Sequence, residues 1–149
     1  MDEVGAVAVV VDTYALMAMA FGELTSRAEE VMLDIRNGRR KGLLPSTVAY
    51  EFALQWLRGR LPLLRSMDEV RGFLIAYFEV VDLSLDDLLE VAKVKNRGDA
   101  LLRDSGTERR LSLTDASIIW LARRMKAPIV SGDRDLSCVA SKLGLEIIW

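Results

Sequence analysis

The chain has 149 residues, a formal net charge of −2, 51% hydrophobic residues and 28% charged residues. This length and hydrophobic content suit one domain over residues 1–149 with its own core, and they exclude a disordered chain. The charged fraction and the lack of any apolar run of bilayer length exclude a membrane protein, and the opening residues carry no basic secretory signal.

Short apolar segments alternate with segments of helical periodicity in the first half of the chain. Gly5–Val11 is rich in valine and apolar on both faces, which predicts a buried strand that ends just before Asp12. Gly42 is expected to break the second helix. The other elements predicted here are helices at Thr13–Phe21 and Ser26–Arg39, a strand at Leu43–Ser46, a helix at Val48–Arg58 capped by Ser46 or Thr47, a helix from Ser66 to about Tyr77, and a strand at Phe78–Ser84.

The second half of the chain continues this alternation. Ser84 and Asp87 form a capping-box pattern that opens a helix to about Lys95. The polar segment Asn96–Leu111 contains glycine and is expected to be irregular, with at most one short helix. The remaining elements are a helix at Leu113–Met125 capped by Ser112, a strand at Pro128–Val130, a helix at Asp133–Leu143 and a strand at Leu145–Trp149. The whole pattern predicts a three-layer α/β/α sandwich around a mostly parallel sheet.

Four acidic residues fall where one edge of such a sheet collects side chains. Asp12 and Asp133 follow strands directly, whereas Glu51 and Asp115 lie early in helices. Right-handed crossovers bring these points to the same edge of a parallel sheet. Each residue also has an ordinary structural explanation. Three of them could cap helices, and Glu51 could form a solvated stripe with Gln55.

The spacing around Asp115 favours a functional site. Asp115 lies in line with Ile118, Ile119 and Ala122, so its carboxylate is expected to point toward the buried side of its helix. Carboxylates that converge there repel one another unless protons or cations neutralise them. The sequence contains no histidine, which removes nucleophile–histidine schemes and histidine-ligated zinc. Ligands that are all oxygen select a hard ion such as Mg²⁺ or Mn²⁺.

Four motifs carry a family resemblance. "VVVDTYAL", "LPSTVAYEFAL", "LSLTDASIIWLA" and "IVSGDRDL" resemble, in order and spacing, the acidic motifs of PIN domains, and most closely those of the VapC-type toxins of VapBC toxin–antitoxin pairs. The resemblance runs from Val7 to the end of the chain. It implies an endoribonuclease that depends on one or two Mg²⁺ or Mn²⁺ ions. It also implies an antitoxin partner and a homodimer, and the lone Cys138 fits a cytoplasmic protein.

The resemblance assigns roles to individual residues. The acidic quartet is Asp12, Glu51, Asp115 and Asp133. Metal binding falls to Asp12, Asp115 and Asp133, while Glu51 either binds a second ion through water or orients the attacking water. The auxiliary positions are the hydroxyls of Thr13 and Ser131 and the additional acid Asp135.

Contacts with the RNA are predicted less directly. Tyr14 either stacks on a base or packs in the core with its hydroxyl satisfied. The arginines expected to follow the RNA backbone are Arg58, Arg109, Arg110 and Arg134.

Three alternatives remain open at this point. The chain could be a housekeeping RNA-processing PIN nuclease without an antitoxin, or an inactive PIN-like module that binds RNA or acts as a scaffold. A receiver-type α/β domain also carries an Asp after its first strand. That class usually has an acidic pair there and a lysine near the last strand, whereas here Thr13 and Tyr14 follow Asp12 and no lysine precedes the last strand on the expected loop.

Overall fold

A five-stranded parallel sheet organises the chain in the computed structural model, which describes residues 7–149. The strands are β1 (Val7–Val11), β2 (Arg40–Pro45), β3 (Phe78–Val81), β4 (Ile129–Val130) and β5 (Ile147–Ile148). Their order across the sheet is β3-β2-β1-β4-β5, and all four neighbouring pairs are parallel. Gly5 and Ala6 of the predicted first strand lie outside the described residues.

Seven helices flank the sheet within the described residues and complete the predicted three-layer α/β/α architecture. They are α1 (Thr13–Ala20), α2 (Ser26–Arg36), α3 (Ser46–Leu57), α4 (Met67–Tyr77), α5 (Leu85–Asp104), α6 (Leu113–Met125) and α7 (Arg134–Lys142). Between residues 7 and 149, no helix is both long and apolar enough to cross a membrane.

The centre of the core is the strand that the sequence marks as apolar on both faces. Val9, Val10 and Val11 of β1 are fully buried, because β1 is the middle strand and helices cover both of its faces. Since every strand runs the same way, the residues after β1, β2 and β4 emerge at one edge of the sheet. That edge is where Asp12 and Asp133 are found.

The predicted boundary between the second helix and the second strand is wrong. Helix α2 ends at Arg36, and Gly38 makes the turn with a φ of 77°, so β2 already begins at Arg40. Gly42 lies inside β2 and does not end a helix. It is a close-packing position, because a Cβ there would lie 2.8 Å from the Cδ1 atom of Phe78.

The prediction of an irregular segment at Asn96–Leu111 is wrong for residues 96–104, which are helical, and right for residues 105–111. Helix α5 continues for another nine residues, to Asp104. Its buried stripe continues through Val94, Gly98 and Leu102, which lie on one face. Gly98 does not interrupt the helix but lets it pack closely, since a Cβ at that position would clash with the side chain of Leu111.

Most of the predicted caps are observed. The side chains of Ser84 and Ser112 cap their helices as predicted, Ser84 forms a full capping box with Asp87, and Ser66 caps α4 in the same way. The exception is α3, whose N-cap residue is Pro45 and which has no side-chain cap from Ser46 or Thr47. Three strands are shorter than predicted, since β3 ends at Val81, β4 begins at Ile129 and β5 covers only Ile147–Ile148.

Candidate active site

A cavity of about 570 Å³ opens at the carboxyl edge of the sheet. All four acids of the predicted quartet line it: Asp12, Glu51, Asp115 and Asp133. Asp12 follows β1, Glu51 lies in the middle of α3, Asp115 lies in the first turn of α6, and Asp133 lies in the loop after β4. Residues up to 121 positions apart in the sequence therefore share one solvent-filled space, as the parallel topology requires.

Asp12 is the most deeply buried of the four, with only 2% of its surface exposed. It caps α1, and its Oδ1 atom accepts a hydrogen bond of 2.7 Å from the backbone N–H of Ala15. Burial raises the pKa of Asp12 to about 7, and the charges of Asp115 and Asp133 add to this rise. Hydrogen bonds from Ser131 and Ala15 act in the opposite direction.

Asp115 lies in the first turn of α6 and is half-buried. Its backbone N–H donates to the Ser112 hydroxyl at 3.0 Å, so the predicted cap is present. Burial again raises the pKa, to about 7, and the neighbouring charges of Asp133 and Glu51 add to the effect. Two carboxyl groups of this cavity thus hold protons near neutral pH when no cation balances their charge.

Ser131 connects two of the acids. It is fully buried directly after β4, and its hydroxyl accepts a 3.0 Å hydrogen bond from the backbone N–H of Asp133. The same side chain hydrogen-bonds Asp12. Asp133 itself caps α7, with its Oδ1 atom 2.9 Å from the backbone N of Leu136. Ser131 therefore fixes the relative positions of the first and last acids.

Glu51 is held by the second predicted hydroxyl. The Oγ1 atom of Thr13 donates to Glu51 Oε1 at 2.8 Å, which joins the start of α1 to α3. Glu51 and Gln55 lie one helical turn apart, and both line the cavity. The face they share is polar because it faces this cavity.

The structural and the functional explanations of these acids are compatible. Asp12 and Asp133 are helix caps, yet each cap bond uses one carboxylate oxygen, Oδ1. The positive ends of helix dipoles favour negative charge at such positions. Helix capping holds each carboxylate in place, and the cavity gives it access to solvent.

The donor set fits a hard divalent cation by its chemistry. Every candidate ligand is a carboxylate or hydroxyl oxygen, and the mutual repulsion that raises the two pKa values would be relieved by a cation. Within residues 7–149, no three acidic or cysteine side chains are arranged so that they could hold an ion by themselves. This arrangement suits an ion that takes one or two carboxylates and keeps several water ligands, as Mg²⁺ usually does.

The remaining predicted residues lie outside the cavity. Asp135 forms a two-pronged ion pair with Arg109, in which Arg109 Nε is 2.8 Å from Oδ2 and the terminal nitrogen Nη2 is 3.0 Å from Oδ1. This contact raises the pKa of Arg109 and holds both groups at the rim. None of the four arginines predicted to bind RNA lines the cavity: Arg58, Arg109, Arg110 and Arg134.

Sequence reasoning missed two charged residues that line the cavity, Glu23 and Arg60. Both follow a glycine in the left-handed conformation, Gly22 with φ 69° and Gly59 with φ 78°. A glycine just after a helix was the signal that could have found them, because it turns the chain back across the helix end. Arg60 extends from such a turn toward the predicted acids.

Tyr14 is not a core residue, so that part of the prediction is wrong. Its side chain is 48% exposed and lines the cavity next to Asp12. The ring makes an edge contact with the ring of Trp149, with 5.4 Å between centroids. Gly132 packs against both rings, since a Cβ there would lie 2.6 Å from Tyr14 Cε1 and 2.5 Å from Trp149 Cε2.

The fold and this cavity define a three-layer α/β/α protein with an acid-lined site at the carboxyl edge of its sheet. A family model described as PIN domain matches residues 9–142, and the chain belongs to that family. A comparison with curated protein sequences finds no match.

Solved structures share the fold. PAE2754 from Pyrobaculum aerophilum is 22% identical with a TM-score of 0.59, over 97% of this chain and 87% of that one. VapBC2 from Rickettsia felis, bound to a DNA fragment from their promoter, is 12% identical with a TM-score of 0.61, over 94% and 96%. VapC20 from Mycobacterium tuberculosis, a toxin that cleaves the Sarcin-Ricin loop, is 15% identical with a TM-score of 0.55, over 87% and 92%.

Proposed function

We propose that this chain is a metal-dependent endoribonuclease that acts in the cytoplasm as the toxin of a toxin–antitoxin pair. The observation that carries the proposal is the convergence of four carboxylates on one cavity, where the pKa values of Asp12 and Asp115 rise to about 7. Perturbed carboxylates that face a shared cavity are typical of catalytic sites and less typical of structural ion pairs.

The residues divide the chemistry between them. Asp12, Asp115 and Asp133 would supply the carboxylates for one or two Mg²⁺ or Mn²⁺ ions, each ion taking one or two of them, with water completing the coordination. A bound divalent cation lowers the pKa of water and offsets the negative charge of the phosphate. Glu51 would orient the attacking water or bind a second ion through water, and Thr13 keeps the Glu51 carboxylate in place. Ser131 keeps Asp12 and Asp133 at a fixed separation.

An RNA substrate is supported by family membership and by the similar toxin. VapC20 cleaves the Sarcin-Ricin loop, which is RNA, and shares this fold. The site fits a phosphodiester because its hard-ion ligands are arranged beside an open cavity and not inside a closed core. Attack of water on the phosphorus, with the bond to the 3′ oxygen breaking, would leave 5′-phosphate and 3′-hydroxyl ends.

The partner proposals rest on a separate surface. An apolar groove of about 430 Å³ lies between α2 and α4, and its lining includes Met19, Leu33, Phe73, Tyr77 and Phe78. An antitoxin segment or a second copy of the chain would bury this groove. The similar VapBC2 structure includes a fragment of the pair's own promoter. Co-expression with the product of a small adjacent gene tests for an antitoxin, and sedimentation of the purified chain tests for a homodimer.

The activity test compares the chain with its D12N variant. Asn keeps the shape and the hydrogen bond to Ala15 but removes the charge. We expect the wild-type chain to cleave single-stranded RNA with Mg²⁺ or Mn²⁺, and both chelator and D12N to abolish cleavage. Cleavage that persists in chelator or in D12N would overturn the proposal. RNA binding without any cleavage, with every divalent ion tried, would favour an inactive binding module.

Growth assays separate a toxin from a housekeeping nuclease. Induced expression of the wild-type chain is expected to arrest growth, while D12N at the same level has no effect. If the enzyme cleaves RNA in vitro but its expression leaves growth unchanged, the toxin part of the proposal fails and the nuclease part stands.

A further inference from the structure

We propose that Arg60, held in position by Gln55, binds a backbone phosphate of the RNA inside the acidic cavity. The inference rests on the proposed function for its substrate class. It assigns a phosphate-binding role to one cation that the family motifs do not include.

Arg60 is attached to Gln55 at two points. Helix α3 ends at Leu57, and Gly59 turns the chain back with a φ of 78°. The backbone N–H of Arg60 then donates to the Gln55 carbonyl oxygen at 3.1 Å, and its terminal nitrogen Nη1 donates to Gln55 Oε1 at 2.8 Å. An arginine fixed through both backbone and side chain loses less conformational freedom on binding a ligand than a free surface arginine does.

This attachment directs the guanidinium toward the carboxylates. Gln55 lies one helical turn after Glu51, and Gln55, Glu51 and Arg60 all line the same cavity. Of the described residues, 7–149, Arg60 is the one basic residue in that lining. Between residues 7 and 149, no carboxylate lies within ion-pair distance of it.

A neutral anchor leaves the positive charge available. If position 55 were a glutamate, the guanidinium would already be balanced, whereas the amide oxygen of Gln55 fixes its direction without neutralising it. Guanidinium carries five N–H donors in a planar fork, and only one of them is used on Gln55. The rest can form the paired contacts that arginine makes with phosphate oxygens.

The need for such a cation follows from the charge of the cavity. Four acids of the quartet and Glu23 surround the space that a phosphodiester would enter. Metal ions offset part of this charge, and a fixed guanidinium at the wall offsets more of it next to the incoming phosphate. The arginines that the sequence predicted to bind RNA are less well placed to contact a phosphate in the cavity. Arg109 is already bound to Asp135, and Arg58 is the C-cap residue of α3 outside the cavity.

Arg58 provides a matched control, because it is two residues away, also exposed and of the same charge. The measurement is the anisotropy of a fluorescent single-stranded RNA in Mg²⁺, with all proteins carrying D12N so that binding is recorded without cleavage. We expect R60Q to weaken binding by about tenfold, as loss of one charged hydrogen-bonding contact predicts, and R58Q by less than about twofold. The slope of log affinity against log salt should fall by about 0.7 for R60Q only.

Two further variants test the role of Gln55 and the need for a guanidinium group at position 60. Q55E places a carboxylate against Arg60 and is expected to weaken binding nearly as much as R60Q, and R60K is expected to recover only part of the loss. Equal affinities for R60Q and R58Q, or no measurable RNA binding, would overturn the inference. If R60Q selectively weakens binding while the chain without D12N cleaves nothing, the phosphate-binding role stands and the nuclease proposal fails. If the chain cleaves RNA but R60Q and R58Q bind RNA equally well, the nuclease proposal stands and the phosphate-binding role of Arg60 fails.

Discussion

Thr13 and Glu51, 38 positions apart in the sequence, are joined by a 2.8 Å hydrogen bond from Thr13 Oγ1 to Glu51 Oε1. The bond links the residue after Asp12 to the middle of α3, and it restricts the Glu51 carboxylate to one side of the cavity. The position of the Glu51 carboxylate, which is proposed here to be catalytic, therefore depends on the hydroxyl of Thr13.

Replacing Thr13 by valine keeps the shape of the side chain and removes this donor. We expect T13V to lower the turnover number for RNA by about tenfold, and the free energy of unfolding by only about 1 kcal/mol, because a single partly buried hydrogen bond is lost. T13S retains the hydroxyl and serves as the control. Turnover at saturating RNA and urea unfolding are the two measurements. Equal turnover in T13V and T13S would show that the hydroxyl does not position Glu51.

The raised pKa of Asp12 leads us to predict an unusual dependence of folding stability on pH. Its folded-state pKa of about 7 lies above the ordinary value of 3.8, so between these values the folded protein binds the proton and the unfolded chain does not. The contribution of this group to folding is largest at low pH and is lost as pH rises through 7. In chelator, we expect D12N to gain about 2 kcal/mol of unfolding free energy relative to wild type between pH 5 and pH 8.

Urea unfolding at four pH values measures this difference directly. D104N, which removes one exposed carboxylate at the end of α5, is the control for a general loss of negative charge. A D12N-minus-wild-type difference that stays constant with pH would contradict the raised pKa of Asp12.

Asp133 and Asp135 are close in the sequence but have different surroundings, because Asp135 forms an ion pair with Arg109. Asp133 lines the cavity, whereas Asp135 is held at the rim by two hydrogen bonds from the guanidinium. We expect D133N to lower turnover by more than about 100-fold and D135N by less than about tenfold. Single-turnover cleavage of the same RNA by both variants is the check. An equal loss in D135N would mean that Asp135 leaves Arg109 and acts in the cavity.

Gly132 sits between Ser131 and Asp133 and leaves no space for a methyl group. A Cβ would lie 2.5 Å from Trp149 Cε2 and 2.6 Å from Tyr14 Cε1, so both rings would have to move. We expect G132A to lower the free energy of unfolding by about 1–3 kcal/mol. G72A is the control, since Gly72 is in α4 with open space around it, and Ala there should stabilise the helix by about 0.5–1 kcal/mol. Thermal unfolding of both variants would show opposite shifts.

The sequence identified the acids that regular elements position. Asp12 and Asp133 follow strands of a parallel sheet, and Asp115 lies on the buried stripe of a helix, so strand order and helical period are enough to bring them together. Arg60 and Glu23 were not found, because their approach to the cavity depends on the left-handed turns at Gly59 and Gly22. The periodicity of the sequence does not predict the direction that the chain takes after such a turn.

The length of α5 was also predicted wrongly from the sequence, for a related reason. Gly98 suggested an irregular segment, because glycine is unfavourable inside an isolated helix. In the folded chain it allows close packing, since a Cβ at this position would clash with the Cδ1 atom of Leu111. Close approach between segments is a tertiary property, and a single sequence distinguishes it poorly from a helix break.

The most direct test of the central claim is anomalous diffraction from crystals soaked in Mn²⁺ at pH 8, above the raised pKa values of Asp12 and Asp115. We expect a peak in the cavity with carboxylate oxygens of Asp12 and at least one other acid of the quartet about 2.0–2.3 Å away, and no peak in D12N. A wild-type cavity that holds no ion at saturating Mn²⁺, while the chain still cleaves RNA, would contradict the account.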